Sequence, residues 1–459
     1  MTDTVSRIAP DGLPTPHRYW AIVAVSLATI TTVMDNTIGN IALPSITREL
    51  QISSAASVWV INAYQIAVIA LLLPLAALGE SIGFRRISLW GLAIFAIGAL
   101  ASGWAHSLLA LSLARVFQGV GAAAVLSVSG ALLRFTYPHA MLGRAVSINA
   151  MVIAVAAASG PTLASAILSV GDWRWLFRFT APLAFTALTL GLFVLPQSHP
   201  VARRMNRTSI ILNVATFALL IAGVQSFMSG RNTLVAGVAA AMGLVAAVFL
   251  VQREMTEKLP LLPLDLLRSR IFSLSVATSM GCFVAQTLAF ISLPFSFQNR
   301  MGYSAVQTGL LMTPWFVAVA VVAPFAGRLA DRYTAGSMAT LGMLVLSAGM
   351  AFLSLLTASA SVSDIAWRMG TCGLGFALFQ APNNRAVLGG APRSRSGAAS
   401  GMLSMARYSG AVTGAVVATS CLRASSVYGT TIALAVASVI ALAAAGLSAM
   451  RLIESSPSD

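Results

Sequence analysis

The chain has 459 residues, of which 58% are hydrophobic and only 9% charged, with a mean hydropathy of +0.85. Soluble domains carry about 25% charged residues, so a water-soluble fold is excluded and most of the surface must meet an apolar medium. The net charge of +15 would suggest nucleic acid in a soluble protein, but the 28 Lys and Arg sit in short segments between apolar runs, as the positive-inside rule requires.

A polar tail, residues 1–18, precedes an apolar run too long for a signal-peptide core, so that run reads as the first membrane helix. Spanning the hydrocarbon takes about 20 residues. Runs of that kind fall at 19–43, 57–78, 87–105, 108–134, 143–168, 178–196, 208–228, 233–251, 271–297, 305–328, 337–358, 364–388, 398–422 and 427–450, fourteen in all. With both termini cytoplasmic, 19 basic residues fall inside and 7 outside, and Arg115 and Arg407 lie within helices. Cys282, Cys372 and Cys421 lie in apolar runs, with no spacing that implies a disulfide or a metal site.

An internal repeat divides the chain. Ala76-Ala77-Leu78-Gly79-Glu80 closes the second helix and Gly327-Arg328-Leu329-Ala330-Asp331 closes the tenth, an offset of 251 residues (331 − 80). The expected organisation is an all-α polytopic membrane protein: a six-helix bundle at 19–200, a two-helix insertion at 201–258, a second six-helix bundle at 259–452 and a short tail at 453–459. Parallel repeats of this kind hold their substrate near mid-membrane at the repeat interface.

Of thirteen acids, Asp35 alone lies well inside an apolar run. An ionisable group at that depth is costly, and it is a candidate for taking up and releasing a proton or meeting a cation; permanent pairing with an arginine, or capping of a broken helix, is the plain alternative. Arg115, in Leu113-Ala114-Arg115-Val116-Phe117-Gln118-Gly119-Val120-Gly121-Ala122, keeps its proton but can hold a carboxylate and exchange partners. The competing reading is an arginine snorkelling to the interface. Arg407, among Gly401, Gly410 and Gly414, fits a structural role as well as a functional one.

Glu80, Gly83, Arg85 and Arg86 form a short loop after the second helix, and Asp331 and Arg332 repeat the arrangement, which suits a cytoplasmic latch between rocking halves. Gly160-Pro161 breaks the fifth helix and reads as a hinge or a packing kink. Asn62 and Gln65 share a helix face. Gln286 occupies the repeat position of Asp35, with Phe283 and Phe290 nearby and Trp315 and Phe316 on the next helix. An aromatic cavity with one carboxylate suits a lipophilic cation.

These residues resemble the major facilitator superfamily, and more closely its fourteen-helix drug:proton antiporter family. Met34-Asp35-Asn36-Thr37 through Pro44 looks like the helix-1 signature, Arg115 through Ala122 the helix-4 motif, Gly160-Pro161 the helix-5 antiporter motif, Trp173-Arg174-Trp175-Leu176-Phe177 the loop before helix 6, and Ser396–Gly401 with Arg407 the opening of helix 13. The resemblance implies that Asp35 is the proton- or cation-binding acid and that Arg115 serves coupling. There are departures. Glu80, Ser81 and Phe84 stand where the family has Asp, Arg and Arg, and Ala164 and Ser165 stand where two glycines are usual, so a weaker first-half latch and looser packing at the kink are expected.

The expected function is proton-coupled efflux of lipophilic cationic drugs, dyes or antiseptics by alternating access across a bacterial inner membrane. A dedicated exporter of one metabolite or peptide class is the alternative, and a non-transporting receptor is disfavoured by the short tails. No enzyme constellation, metal cluster or nucleotide-binding loop is legible, so the expected energy source is the proton gradient, with no cofactor. Expected partners are lipophilic cations, protons and the bilayer, with no nucleic acid; the sequence leaves the oligomeric state open.

Overall fold

In the computed structural model, described for residues 12–138, 152–153, 156, 159–160, 162–197, 207–228, 233–255, 264–329, 333–389, 396–425 and 428–454, the chain is helical almost throughout. The helices are α1 His17–Glu49, α2 Trp59–Ile82, α3 Phe84–Gly103, α4 Leu108–Thr136, α5 (helical over 162–170), α6 Arg174–Val194, α7 Arg207–Met228, α8 Thr233–Glu254, α9 Arg270–Phe295, α10 Ala305–Leu329, α11 Ala335–Ser354, α12 Val362–Gly389, α13 Ser396–Ala424 and α14 Gly429–Glu454. Among the described residues, ten helices are long and apolar enough to cross a membrane by length and composition. The helices α5, α7, α12 and α13 are not among them; α12 carries Asp364, Arg368 and Arg385, and α13 carries Arg407 and Arg423.

The helices pack as two bundles. In the first, α1 meets α4 and α6, and α4 also packs on α2 and α3. In the second, α9 meets α13 and α14, and α12 packs on α10 and α11. The pair α7 and α8 pack on each other, with α7 leaning on α2 and α13. Between the bundles, α1 meets α9 and α10, and α13 meets α2.

Two of the boundaries that differ from the sequence reading bear on the site. The first helix does not stop at residue 43: Pro44 lies inside it and the helix continues to Glu49. Helices at membrane depth tolerate proline because neighbours satisfy the freed backbone groups. Asp35 is therefore close to the middle of α1. Trp173 caps the start of α6, which begins at Arg174, four residues before the expected start.

The repeat is visible in backbone packing. A methyl added to Gly98 would meet Gln118 Cα at 2.7 Å, and one added to Gly349 would meet Cys372 N at 3.0 Å. Likewise a methyl added to Gly119 would meet the Tyr64 carbonyl at 2.6 Å and one added to Gly373 that of Trp315 at 2.1 Å. These pairs superpose the halves with an offset of 251 residues on α2/α10 and α3/α11 (315 − 64, 349 − 98) and 254 on α4/α12 (372 − 118, 373 − 119). Close helix approach through small residues is the usual means of packing in lipid.

Candidate functional site

The centre of the first bundle is a polar cluster inside apolar walls. Asp35 on α1 is 1% exposed and Arg115 on α4 is 0% exposed. Arg115 Nη1 donates to Asp35 Oδ2 at 2.5 Å and to Gln118 Oε1 at 2.7 Å. Gln118 Nε2 donates to Asp35 Oδ1 at 2.8 Å, and Thr180 Oγ1 of α6, which has its shorter bond to the Phe177 carbonyl at 2.9 Å, lies 3.4 Å from the same oxygen. Arg115 Nε donates to the Val60 carbonyl at 3.3 Å, which ties the cluster to the first turns of α2. The guanidinium is sandwiched by aromatic faces, 4.3 Å from the Tyr64 ring and 5.2 Å from that of Phe177. Five helices thus contribute, since Ser102 of α3 also donates to Gln118 Oε1 at 3.4 Å.

The local sequence explains this placement. Arg115 and Gln118 are three residues apart on α4 and so share a face. On α1, Thr29, Thr31 and Thr32 return their hydroxyls to carbonyls one turn back, so none of these three competes for Asp35. Tyr64 reaches α1 through its hydroxyl, which donates to the Thr32 carbonyl at 3.3 Å. A buried ion pair is tolerated only with good geometry and further hydrogen bonds, and this one has both. Of its members, only Asp35 and Arg115 were singled out from sequence. Gln118 was recoverable from its three-residue spacing, whereas Thr180 and Tyr64 carry no such signal.

A second feature is a set of buried polar atoms without protein partners. These include Oδ1 of Asn36 and Asn40 on α1, both amide atoms of Asn62 and Oε1 of Gln65 on α2, and Nε1 of Trp315 on α10. Such atoms are rare in folded proteins, and where they cluster they mark places that exchange partners with ligand or water. The sequence-derived residues Asn62, Gln65 and Trp315 therefore fall in this set, and Gln286 lies part-buried on α9. Phe290 is buried, with its ring 4.9 Å from Trp315 and 5.3 Å from Phe316.

The repeat shows that the two halves are chemically unequal. Positions matching Asp35, Arg115 and Gln118 hold Gln286, Met369 and Cys372. The second half keeps the packing and lacks the ionisable pair.

At the loop after α2, Gly83 takes φ +106°, a conformation that glycine alone adopts without strain. Arg85 donates to the Leu192 carbonyl at the end of α6, where a cation favours the helix C-terminus. Phe84, in place of a family arginine, stacks near Phe135 of α4 at 5.8 Å. The latch expected at Glu80 and Arg85 is thus tied, through Arg85, to a helix end of the same bundle. Gly160 lies so close to α1 that an added methyl would meet Thr37 Oγ1 at 2.1 Å. Pro161, Asp331 and Arg332 lie outside the described residues.

The far end of α1 carries a network missed from sequence. Arg174 forms an ion pair with Glu49, Trp173 Nε1 donates to Glu49 Oε2 at 2.6 Å, and Arg174 Nε donates to the Ala105 carbonyl at 3.2 Å. The N-terminus of α6 thus meets a carboxylate, as its dipole favours. Across the bundles, Arg48 Nη2 donates to Gln298 Oε1 at 2.9 Å, and Gln298 Nε2 donates to the Ile41 carbonyl at 3.3 Å. Thr162 and Thr313 meet at 3.0 Å.

Two repeated helical bundles, a charge cluster buried in one of them and unpartnered polar atoms on α1, α2 and α10 define a multi-pass membrane transporter. The family model of the Major Facilitator Superfamily matches residues 25–415, and the chain belongs to that superfamily. It is 44% identical over 451 residues, 98% of each chain, to the "uncharacterized transporter YebQ" of Escherichia coli strain K12. It is 30% identical to "multidrug resistance protein Stp" of Mycobacterium tuberculosis strain CDC 1551 / Oshkosh, over 88% of this chain and 75% of that protein. The fold superposes on a crystal structure of a POT family transporter in complex with a thioalcohol-conjugated peptide, with a TM-score of 0.73, 13% identity, and coverage of 95% of this chain and 96% of that one.

Proposed function

We propose that this transporter is a proton-coupled exporter of lipophilic, ring-bearing compounds, of the fourteen-helix drug:proton antiporter type, working in a bacterial inner membrane with both termini in the cytoplasm. The observation that carries the reading is the Asp35–Arg115 pair, buried near the middle of α1 and α4. The resistance function printed for a relative at 30% identity supports the drug-export part.

The cycle follows from the chemistry of the pair. Ionised Asp35 accepts hydrogen bonds from Arg115 and Gln118. A proton placed on Asp35 cancels its charge and leaves the Arg115 cation without its anion. The guanidinium cannot shed its own proton, so its partners must change, and the orphan oxygens of Asn36, Asn40, Asn62 and Gln65 are acceptors on the adjoining helices. Protonation therefore changes the relative energies of the two conformers, which alternating access requires. Lipophilic cations drawn by ionised Asp35 are the cargo that the sequence favours. With Arg115 at 2.5 Å that charge is already balanced, so Asp35 is left for the proton and the charge of the cargo is decided elsewhere.

The test is reconstitution of the full chain into proteoliposomes with an imposed pH gradient and a panel of anionic, neutral and cationic fluorescent aromatics. Wild type is expected to move at least one class against its gradient with counterflow of protons. Asp35→Asn is expected to keep binding and lose the pH-driven component. Unimpaired pH-driven transport by Asp35→Asn sinks the coupling reading.

A further inference from the structure

Arg407 is an interior arginine with no ion-pair partner among the described residues. It projects from α13, donates from Nη2 to Asn384 Oδ1 at 2.7 Å, and leaves a buried Nε without a hydrogen-bond partner. Arg451 makes the contrast. That side chain is also buried without an acid, but Nε, Nη1 and Nη2 donate to Ser448, Ser275, Asn383 and the Ser448 hydroxyl, so it serves as a pin between α9, α12 and α14. Arg407 keeps donors in reserve.

Its surroundings are aromatic. The guanidinium carbon lies 5.5 Å from the Phe283 ring, and from there rings run through Phe376 at 5.8 Å and Trp315 at 6.4 Å to Phe290 at 4.9 Å. The adjacent Tyr408 packs against the first-bundle cluster that holds Tyr64, so α13 faces across the two halves at this level. Asp35 is balanced by Arg115, which leaves the uncompensated charge positive. A part-buried cation with a buried, unpartnered Nε and no anion is costly, and a ligand carboxylate or sulfonate repays that cost through charge-assisted hydrogen bonds.

We infer that the cargo is an aromatic anion, its acidic group bound by Arg407 and its rings laid along Phe283, Phe376 and Trp315. The inference rests on the transporter reading above and fixes the charge of its substrate.

The experiment uses three probes with one ring system: 1-pyrenebutyrate, 1-pyrenebutanol and 4-(1-pyrenyl)butyl-trimethylammonium. Binding to the purified full chain in lipid nanodiscs is followed by pyrene fluorescence. In wild type the butyrate is expected to bind about tenfold or more tighter than the ammonium, the worth of one charge-assisted contact. Arg407→Gln is expected to lose that preference while holding the butanol, and Arg407→Lys to keep it. An ammonium bound as tightly as the butyrate, no binding of any probe, or an unchanged preference in a monodisperse Arg407→Gln overturns the proposal. Should Arg407→Gln fail to fold, the wild-type order of affinities decides. Asp35→Asn separates the two readings. Lost proton coupling with anion preference intact upholds both. Lost coupling with no anion preference in wild type sinks this inference alone, and retained coupling with an Arg407-dependent preference sinks the Asp35 reading alone.

Discussion

Asp35 and Arg115 are bonded to each other but do not respond alike to removal of the partner. A carboxylate stripped of its arginine escapes its buried charge by taking a proton, whereas a guanidinium stripped of its acid cannot lose one. Breaking a buried pair costs about 3–5 kcal/mol when the stranded group stays charged. Asp35→Leu is therefore expected to lower the melting temperature of the purified protein more than Arg115→Met, and the double variant is expected to recover much of the Asp35→Leu loss. A double variant no more stable than Asp35→Leu counts against the pair as the source of the effect. The sequence exposes these two residues because charge inside an apolar run is conspicuous. It does not expose Thr180 or Tyr64, since a hydroxyl at membrane depth can satisfy itself on its own helix, as Thr29 and Thr32 do. Only the packing of α6 and α2 against α1 distinguishes the two uses.

Among the elements, apolar runs of about 20 residues foretold the long helices that the described residues contain, because the hydrocarbon sets that length, but not the short helix at Ser54–Ser57. Their ends were less legible. The helix α1 runs through Pro44 to Glu49 since its last turns are anchored by the network around Arg174 rather than by local propensity. The approach of α5 to α1 is another long-range fact. At Gly160, Ala is expected to weaken transport severalfold in the vesicle assay, because the added methyl would meet Thr37 Oγ1 at 2.1 Å. Thr37→Ala in the same chain removes that oxygen and is expected to restore part of the activity, since the remaining Thr37 Cβ stands at 3.0 Å. Failure of the second change to help would assign the loss at Gly160 to some contact other than α1.

For the whole molecule, the bundles meet at the end where α1 and α9 finish. Arg48, Gln298 and the Ile41 carbonyl bridge them there, and Ser296 is buried beside them. Gln298→Leu removes the bridge. In a chain whose native cysteines are replaced by serine, a cysteine at Ser296 is expected to react slowly with a maleimide, and severalfold faster once Gln298→Leu is added. Equal rates would show that the bridge does not hold this end closed. The two-bundle plan was readable from the repeat of Glu80 and Asp331, and so was the neutral Gln286 opposite Asp35, but the residue opposite Arg115 was not, because Met369 falls there only at the 254-residue offset that the packing of Gly119 and Gly373 gives.

The inequality of the bundles has an electrical side. With Gln286 standing opposite Asp35, a cycle coupled through Asp35 alone, as proposed above, would admit one proton per turn. Export of a monovalent cation against it moves no net charge, and the membrane voltage contributes nothing. Export of a monovalent anion moves two charges in the favourable sense, worth about 4.6 kcal/mol for each 100 mV, or roughly three decades of concentration. An anion exporter built on a single acid would thus draw on voltage as well as on pH. Collapsing the potential with valinomycin and potassium, at a fixed pH gradient, should slow it where it would leave a cation exchanger untouched.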